Sequence, residues 1–523
     1  MGKINIKYND GNIGGVIASQ DGVSGYIHFN NVIYNTFPRE LPKVMRLRQA
    51  KDLNKYGIYG TPQELIDNGV LAADATEYGI TLTAANASDV VTLSFDSPVS
   101  GKAITVKSTL AKMKDTLMSE GRNDFIKYYD VRDFSGMSTL ADVLSAYFTV
   151  AYDEDDLTFV IKTAQPDLSA IFSSYTVDCD GATMSVTYSD RYDICQVYQN
   201  IADYFSQSPD SVLYFSLIEG NALQDATDAM TEIVNASEGQ VRQIAYVSGT
   251  TLISGYASSF IAGLQSYAEA MAVAKKPFSI VLGDACQIKR SQTASNVNLR
   301  SYSAKRVSCV VTTMPFAFQY STNTAHTIVG EVLGLISKNK VSDSIAWVGN
   351  NPMIYGEYNV NVVTDAADYS WLKASDLDQD MIDAWQANGW IFPMSYVGNA
   401  ARFINTDNNS SAILSDYNSI KRVRTMDKVA RLSYSALVPF ISSPLYVDKA
   451  TGFLSEMTVQ KFENVLESQL SQMENAYEVS GFDVNIPEDQ NILQTATLEV
   501  NIKVVPVGSA DVININLAYA VQI

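Results

Sequence analysis

The chain has 523 residues, 46% of them hydrophobic and 18% charged, with a formal net charge of −20. These values exclude a disordered chain and argue against indiscriminate nucleic-acid binding, which needs a basic footprint. The length exceeds what one core organises, so roughly two to four domains are expected.

The N-terminal stretch MGKINIKYND lacks the apolar centre of a signal peptide, and no apolar run reaches the ~18 residues of a membrane span. No direct membrane insertion is expected. Ile4, Ile6 and Tyr8 alternate with Lys3, Asn5 and Lys7, which predicts a short strand. A second strand is expected around Tyr26 to Phe29, completing an N-terminal unit over 1–30. The connecting segment 31–75 carries Arg39, Lys43, Arg46, Arg48, Lys51 and Lys55, with a short helix expected from Lys43 to Asn54 after Pro42.

Over 76–190 the pattern changes to short β-rich runs (ITLTA, VVTLSF, AITVK, LTFVIK, MSVTY), with one helical pattern at Thr139–Tyr147. This reads as an inserted β-rich α+β domain. The DEDD run at Asp153–Asp156 fits a turn better than a calcium loop, because no EF-hand spacing surrounds it.

From 191 to 350 continuous apolar runs (VLYFSL, QIAYV, FSIVLG, VSCVVTT, SIAWVG) alternate with amphipathic helices. One helix places Phe260, Leu264, Tyr267, Met271 and Ala274 at helical spacing, with Ser258 or Ser259 as its cap; another runs through Ile328, Val332, Leu335 and Ile336. Such alternation predicts an open, mostly parallel β-α-β sheet with helices on its faces.

Residues 351–505 read as a C-terminal α+β core. The segment NSIKRVRTMDKVARLSYSALVPFI, expected as a strand or turn and then a helix, sets Lys421, Arg422, Arg424, Lys428 and Arg431 against Asp427 alone. It is either a solvated helix face or a docking surface for an acidic partner. An amphipathic helix follows through Val459, Phe462, Leu466, Leu470 and Met473. Leu498, Val500, Ile502 and Val504 then alternate with polar residues, Pro506 and Gly508 break the run, and Ile513, Ile515, Leu517, Tyr519 and Val521 form a second alternation. Two strands are expected, as a hairpin or as a strand and a projecting arm over 506–523. A free apolar strand is an aggregation hazard, so a partner is required.

The β-α-β region contains neither GxGxxG nor GxxxxGK[ST], and GxSxG is absent. His28 and His326 are the two histidines, each expected as a packed or capping residue. Asp376, Asp378 and Asp380 sit at a helix start, where they favour the dipole. Cys179, Cys195, Cys286 and Cys309 are widely spaced, which predicts reduced thiols and no structural zinc. No catalytic residue, metal or cofactor is expected.

From Trp390 onward the order of parts resembles contractile phage tail sheath proteins. The resemblance rests on YVGNAARFINT, the basic segment leading into a helix, FLSEMTVQKFENVLESQLSQM and the terminal LEVNIKVVPVGSADVININLAY. The N-terminal arm and the β-α-β middle also fit; the insertion over 76–190 does not. The resemblance implies a structural subunit that polymerises as stacked six-fold rings around an inner tube and contracts to drive the tube through an envelope. Its implied partners are further copies of itself, the tube protein, and baseplate and tail terminator proteins. The implied location is a phage tail assembled in the host cytoplasm, or an injection or secretion particle. It also implies that Ile4, Ile6, Tyr8, Ile513, Ile515, Leu517, Tyr519 and Val521 lie on strands donated to neighbours. Lys421, Arg422, Arg424 and Lys428 would then face the tube. Another self-assembling shell component, an α/β enzyme and a monomeric binding module remain alternatives.

Overall fold

β1 (Ser24–Phe29) is a run of buried residues that lies in the middle of the main sheet. The computed structural model describes residues 20–29, 41–70, 78–84, 86, 88, 90–96, 103–112, 149–153, 157–163, 176–178, 183–187, 192–247, 254–283, 288–289, 297–311, 313–315, 327–363, 369–511, 513–515, 517 and 519. Ile4, Ile6, Tyr8 and Val521, together with Cys179, Cys286, His326 and the helical pattern at Thr139–Tyr147, lie outside them.

β2 (Met45–Leu47) and the short helix α1 (Pro62–Asp67) precede the inserted segment. That segment holds β3 (Tyr78–Thr83), β4 (Val91–Asp96), β5 (Ala103–Ser108), β6 (Thr149–Asp153), β7 (Thr158–Thr163), β8 (Thr176–Asp178) and β9 (Thr183–Thr187). They form two antiparallel sheets, ordered β6-β7-β3-β9 and β5-β4-β8.

The next elements are α2 (Tyr192–Gln207), β10 (Leu213–Ile218), α3 (Leu223–Ala236), β11 (Gln243–Val247), α4 (Ser254–Val273), β12 (Ser279–Gly283), β13 (Ile288–Lys289), β14 (Val307–Cys309), β15 (Thr313–Pro315) and α5 (Val329–Lys338). The main sheet has the order β14-β12-β11-β1-β10-β2, parallel throughout except for β2 at the edge. Its strands are continuous apolar runs because both faces are covered. Tyr26, Phe215, Ala245 and Val281 meet α2 and α5 on one face; Ile27, Ile244, Tyr246 and Ile280 meet α3 and α4 on the other. The mixed α/β class expected from the sequence is the class observed.

Beyond the sheet come β16 (Tyr358–Val363), β17 (Tyr369–Lys373), α6 (Gln379–Ala387), β18 (Pro393–Ser395), β19 (Arg402–Ile404), α7 (Ile420–Leu437), α8 (Glu456–Asn475), β20 (Val479–Asn485) and β21 (Asn501–Pro506).

Several local expectations are corrected. The helix expected from Lys43 to Asn54 is β2 followed by a 3-10 helix, Ala50–Tyr56. Met45 and Leu47 are buried on either side of exposed Arg46, so pairing with β10 hides both apolar groups at once. SIAWVG is a series of turns and not a strand: Asn351 Nδ2 donates to the Ser344 carbonyl, and the Trp347 N–H donates to that same oxygen. α4 begins at Ser254, which places Ser258 and Ser259 inside the helix and not at its cap. Helical structure begins at Ile420, so the basic residues lie within α7 itself.

Candidate functional site

α8 is built on the predicted stripe: Val459, Phe462, Leu466, Leu470 and Met473 are buried, and the Ser455 hydroxyl accepts from the Thr458 N–H to cap it. β20 and β21 pack on that stripe. Their antiparallel register sets Phe482 opposite Val504 and Val484 opposite Ile502. A two-stranded sheet is marginal in water by itself, and here α7 and α8 supply the apolar backing. With two strands in the sheet, each retains an outer edge with no strand beside it among the described residues.

The chain leaves this hairpin at Pro506. Ile513, Ile515, Leu517 and Tyr519 are then 76%, 77%, 91% and 109% exposed. The second alternation therefore makes no hairpin with the first: β21 takes β20 as its partner, and the described positions after Pro506 belong to no strand. The alternating apolar residues stand in solvent beside an open two-stranded sheet.

The four cations expected to share one surface are divided. Arg424 is 4% exposed, and its guanidinium donates to the carbonyls of Lys340, Asn339 and Asp21 at 3.3–3.4 Å. Burial lowers its pKa to about 10, with the Asp21 charge opposing. Lys428 lies 2.7 Å from carboxylate oxygens of both Asp21 and Glu478, and Arg431 also pairs with Asp21. Burial works to raise the Asp21 carboxyl, but the hydrogen bond and charge of Lys428, joined by Arg431 and Arg424, hold it below its ordinary value. The single-surface expectation is corrected for Arg424 and Lys428, which are consumed by an internal charge cluster that fastens α7 to the entry of β1. Lys421 donates to Ser509 Oγ at 2.5 Å, tying α7 to the segment after β21, and Arg422 makes one long bond to the Asp416 carbonyl. The cluster had a sequence signal: Arg424, Asp427, Lys428 and Arg431 fall on one helical stripe. Its partner Asp21 had none.

The interior also holds a carboxylate network invisible in the sequence. Glu331 on α5 is fully buried and accepts from Tyr358 Oη at 2.7 Å, from the Ile354 N–H and from Gln207 Nε2. Asp203 on α2 accepts from Tyr355 Oη at 2.7 Å and from Gln199. Burial, with the Asp203 charge adding, pushes Glu331 up to about 7; burial pushes Asp203 up to about 6. The two helices approach closely because Gly330 and Gly334 of α5 face the backbone of α2.

The other candidates have structural surroundings. His28 is buried in β1, with Nδ1 2.9 Å from Tyr26 Oη, and burial lowers its pKa to about 4. Cys195 and Cys309 are buried. Asp378 caps α6 by accepting from the Met381 N–H. Among the described residues no group of three or more His, Cys, Asp or Glu could hold a metal ion, and no helix is long and apolar enough to cross a membrane.

Residues 416–523, which contain α7, α8, the hairpin and the exposed terminal segment, match the family described as DUF2586, C-terminal domain. No curated protein matches the chain. Among solved structures, the chain is similar to one from the anti-feeding prophage (AFP) baseplate, 6-fold symmetrised, with 11% identity, TM-score 0.41 and coverage of 62% of this chain and 81% of that one. It is also similar to a chain from the sheath complex of an extracellular contractile injection system, PVC, in the contracted state, with 10% identity, TM-score 0.43 and the same coverage of 62% and 81%.

Proposed function

We propose that this chain is a structural, non-catalytic subunit of a contractile sheath that polymerises as stacked six-fold rings around an inner tube. The observation that carries the reading is the row Ile513, Ile515, Leu517 and Tyr519, exposed beside a hairpin whose strands both have open outer edges. An alternating apolar segment and an open edge are the two halves of β-augmentation between copies. Burying each Ile or Leu would contribute about 1.5–3 kcal/mol, and each ladder bond about 0.5–1.5 kcal/mol net. Several such joints per subunit would reinforce one another. The N-terminal residues Ile4, Ile6 and Tyr8, and Val521, belong to the same proposal as further donated positions. Baseplate, tube and terminator proteins are its proposed partners, and a phage tail or injection particle its proposed setting. On this reading Arg422 is the cation of α7 left to face a tube, since the Lys421 side chain is occupied by Asp407 and Ser509.

Electron microscopy of the purified full chain and of a chain lacking residues 508–523 tests the proposal. The full chain should form helical tubes, while the shortened one should remain dispersed with its circular dichroism and melting profile preserved. Closed shells, or tubes formed equally well by the shortened chain, would overturn it.

A further inference from the structure

A cavity of about 330 Å³ opens between α7 and the C-terminal end of α4. Its lining includes Arg242, Lys275, Arg306, Arg431 and Asp427, a cationic lining in a chain of net charge −20. Two of the cations are already matched. Arg306 holds Asp427 with two parallel bonds, which also neutralises the one carboxylate in the lining, and Arg431 pairs with Asp21.

The other two make no ion pair among the described residues, although the Asp21 and Asp427 charges act on Arg242. Arg242 uses one Nη to reach the Gly239 and Val241 carbonyls, while its Nε is buried without a hydrogen-bond partner. A buried donor left unpaired is costly. Arg242 also has its pKa lowered to about 10 by burial, with the Arg431 charge adding to the effect. Lys275 makes no ion pair among the described residues and sits at φ +68°, in the turn that ends α4. The Lys275 and Lys276 N–H groups close that turn onto the Ala272 and Met271 carbonyls, so these helix-end acceptors are satisfied. The left-handed position suits glycine, yet a lysine occupies it and lines the opening.

We propose that this cavity binds a small oxyanion of the phosphate class, seated between the Arg242 guanidinium and the Lys275 ammonium. A guanidinium offers donors that phosphate oxygens accept, and the lysine supplies the second charge. The site is independent of the assembly reading.

The test titrates inorganic phosphate into the full-length chain, with sodium chloride at matched ionic strength as control, reading thermal unfolding and calorimetric binding. Phosphate should raise the melting temperature above the chloride control. Lys275→Gly should fold at least as well as the parent, because glycine relieves the left-handed backbone, yet bind phosphate roughly 10-fold more weakly. Arg242→Gln should show a loss of the same order. Phosphate acting no better than chloride, or acting equally on both variants and the parent, would overturn the proposal. So would a chain indifferent to phosphate whose self-association weakens in Lys275→Gly, since the occupant would then be an acidic side chain of a second copy.

Discussion

Arg306 clasps Asp427 through both terminal nitrogens, Nη1 to Oδ2 at 2.7 Å and Nη2 to Oδ1 at 2.8 Å. Arg306 enters from the turn before β14 and Asp427 from α7, so the pair joins the main sheet to the C-terminal core. Both side chains are nearly excluded from solvent. Asp427→Ala would leave Arg306 its bond to Glu269 at 3.1 Å, whereas Arg306→Met strands the buried Asp427 carboxylate and should cost about 3–5 kcal/mol in denaturant unfolding. The double variant Arg306→Met with Asp427→Leu should recover more than half of that loss. A double variant as unstable as the single would mean that the pair contributes more than a relieved burial penalty.

Glu331 and Asp203 give the fold a pH dependence. Both carboxyls have pKa values raised in the folded chain, to about 7 and about 6, from ordinary values of 4.5 and 3.8. The folded state therefore holds protons that the unfolded state has lost. Their contribution is full below pH ~4 and is lost as pH rises through about 7. The groups around them are Tyr355, Tyr358, Gln199, Gln207 and, through its charge, Lys338. Asp21 and Glu357, whose pKa values are lowered, change stability below their ordinary values. Buried His28, lowered from 6.5 to about 4, gains stability as pH rises to 6.5 and so opposes the pair up to that point, while buried Asp407 is raised like the pair. The melting temperature should fall from pH 6.5, where the His28 contribution is complete, to pH 8, and Glu331→Gln should flatten that slope. An unchanged slope in the variant would assign the dependence elsewhere.

Gly330 has no room for a side chain. A Cβ there would stand 2.0 Å from the carbonyl oxygen of Asn200, and one at Gly334 would stand 2.7 Å from that of Tyr204. Gly330→Ala must separate α5 from α2, and a loss of about 3 kcal/mol is expected by chemical unfolding. Gly356→Ala is the control, since nothing lies within 4 Å of its added methyl; it should stay within about 0.5 kcal/mol of the parent. Equal effects at the two sites would show that helix spacing is not what Gly330 sets.

The central sheet was legible because burial on both faces makes β10, β11 and β12 unbroken apolar runs, each followed in sequence by an amphipathic or polar segment. β2 was not, because its three residues pack between lysines and arginines that carry good helix propensity. The exposed terminal row was read from alternation alone. The fate of Arg424 and Lys428 was hidden for a different reason. Charge on a helix says which stripe it occupies but not whether an acid waits opposite, and Asp21 lies some 400 residues upstream. The Glu331 network was hidden likewise, since Tyr355 comes from a bend that no local pattern marks and Tyr358 from the first position of β16.

The place of β1 in the sheet also sets a timetable. Ser24 pairs with Leu213 on one side and Gln243 on the other, and the nearer of these is synthesised 189 residues later. At 5–20 residues per second, the ribosome takes roughly 10–40 s to deliver it. Throughout that interval Tyr26 and Ile27, each at most 1% exposed in the finished fold, have no strand to shelter them. The inserted sheets are complete before the scaffold that carries them can begin to close.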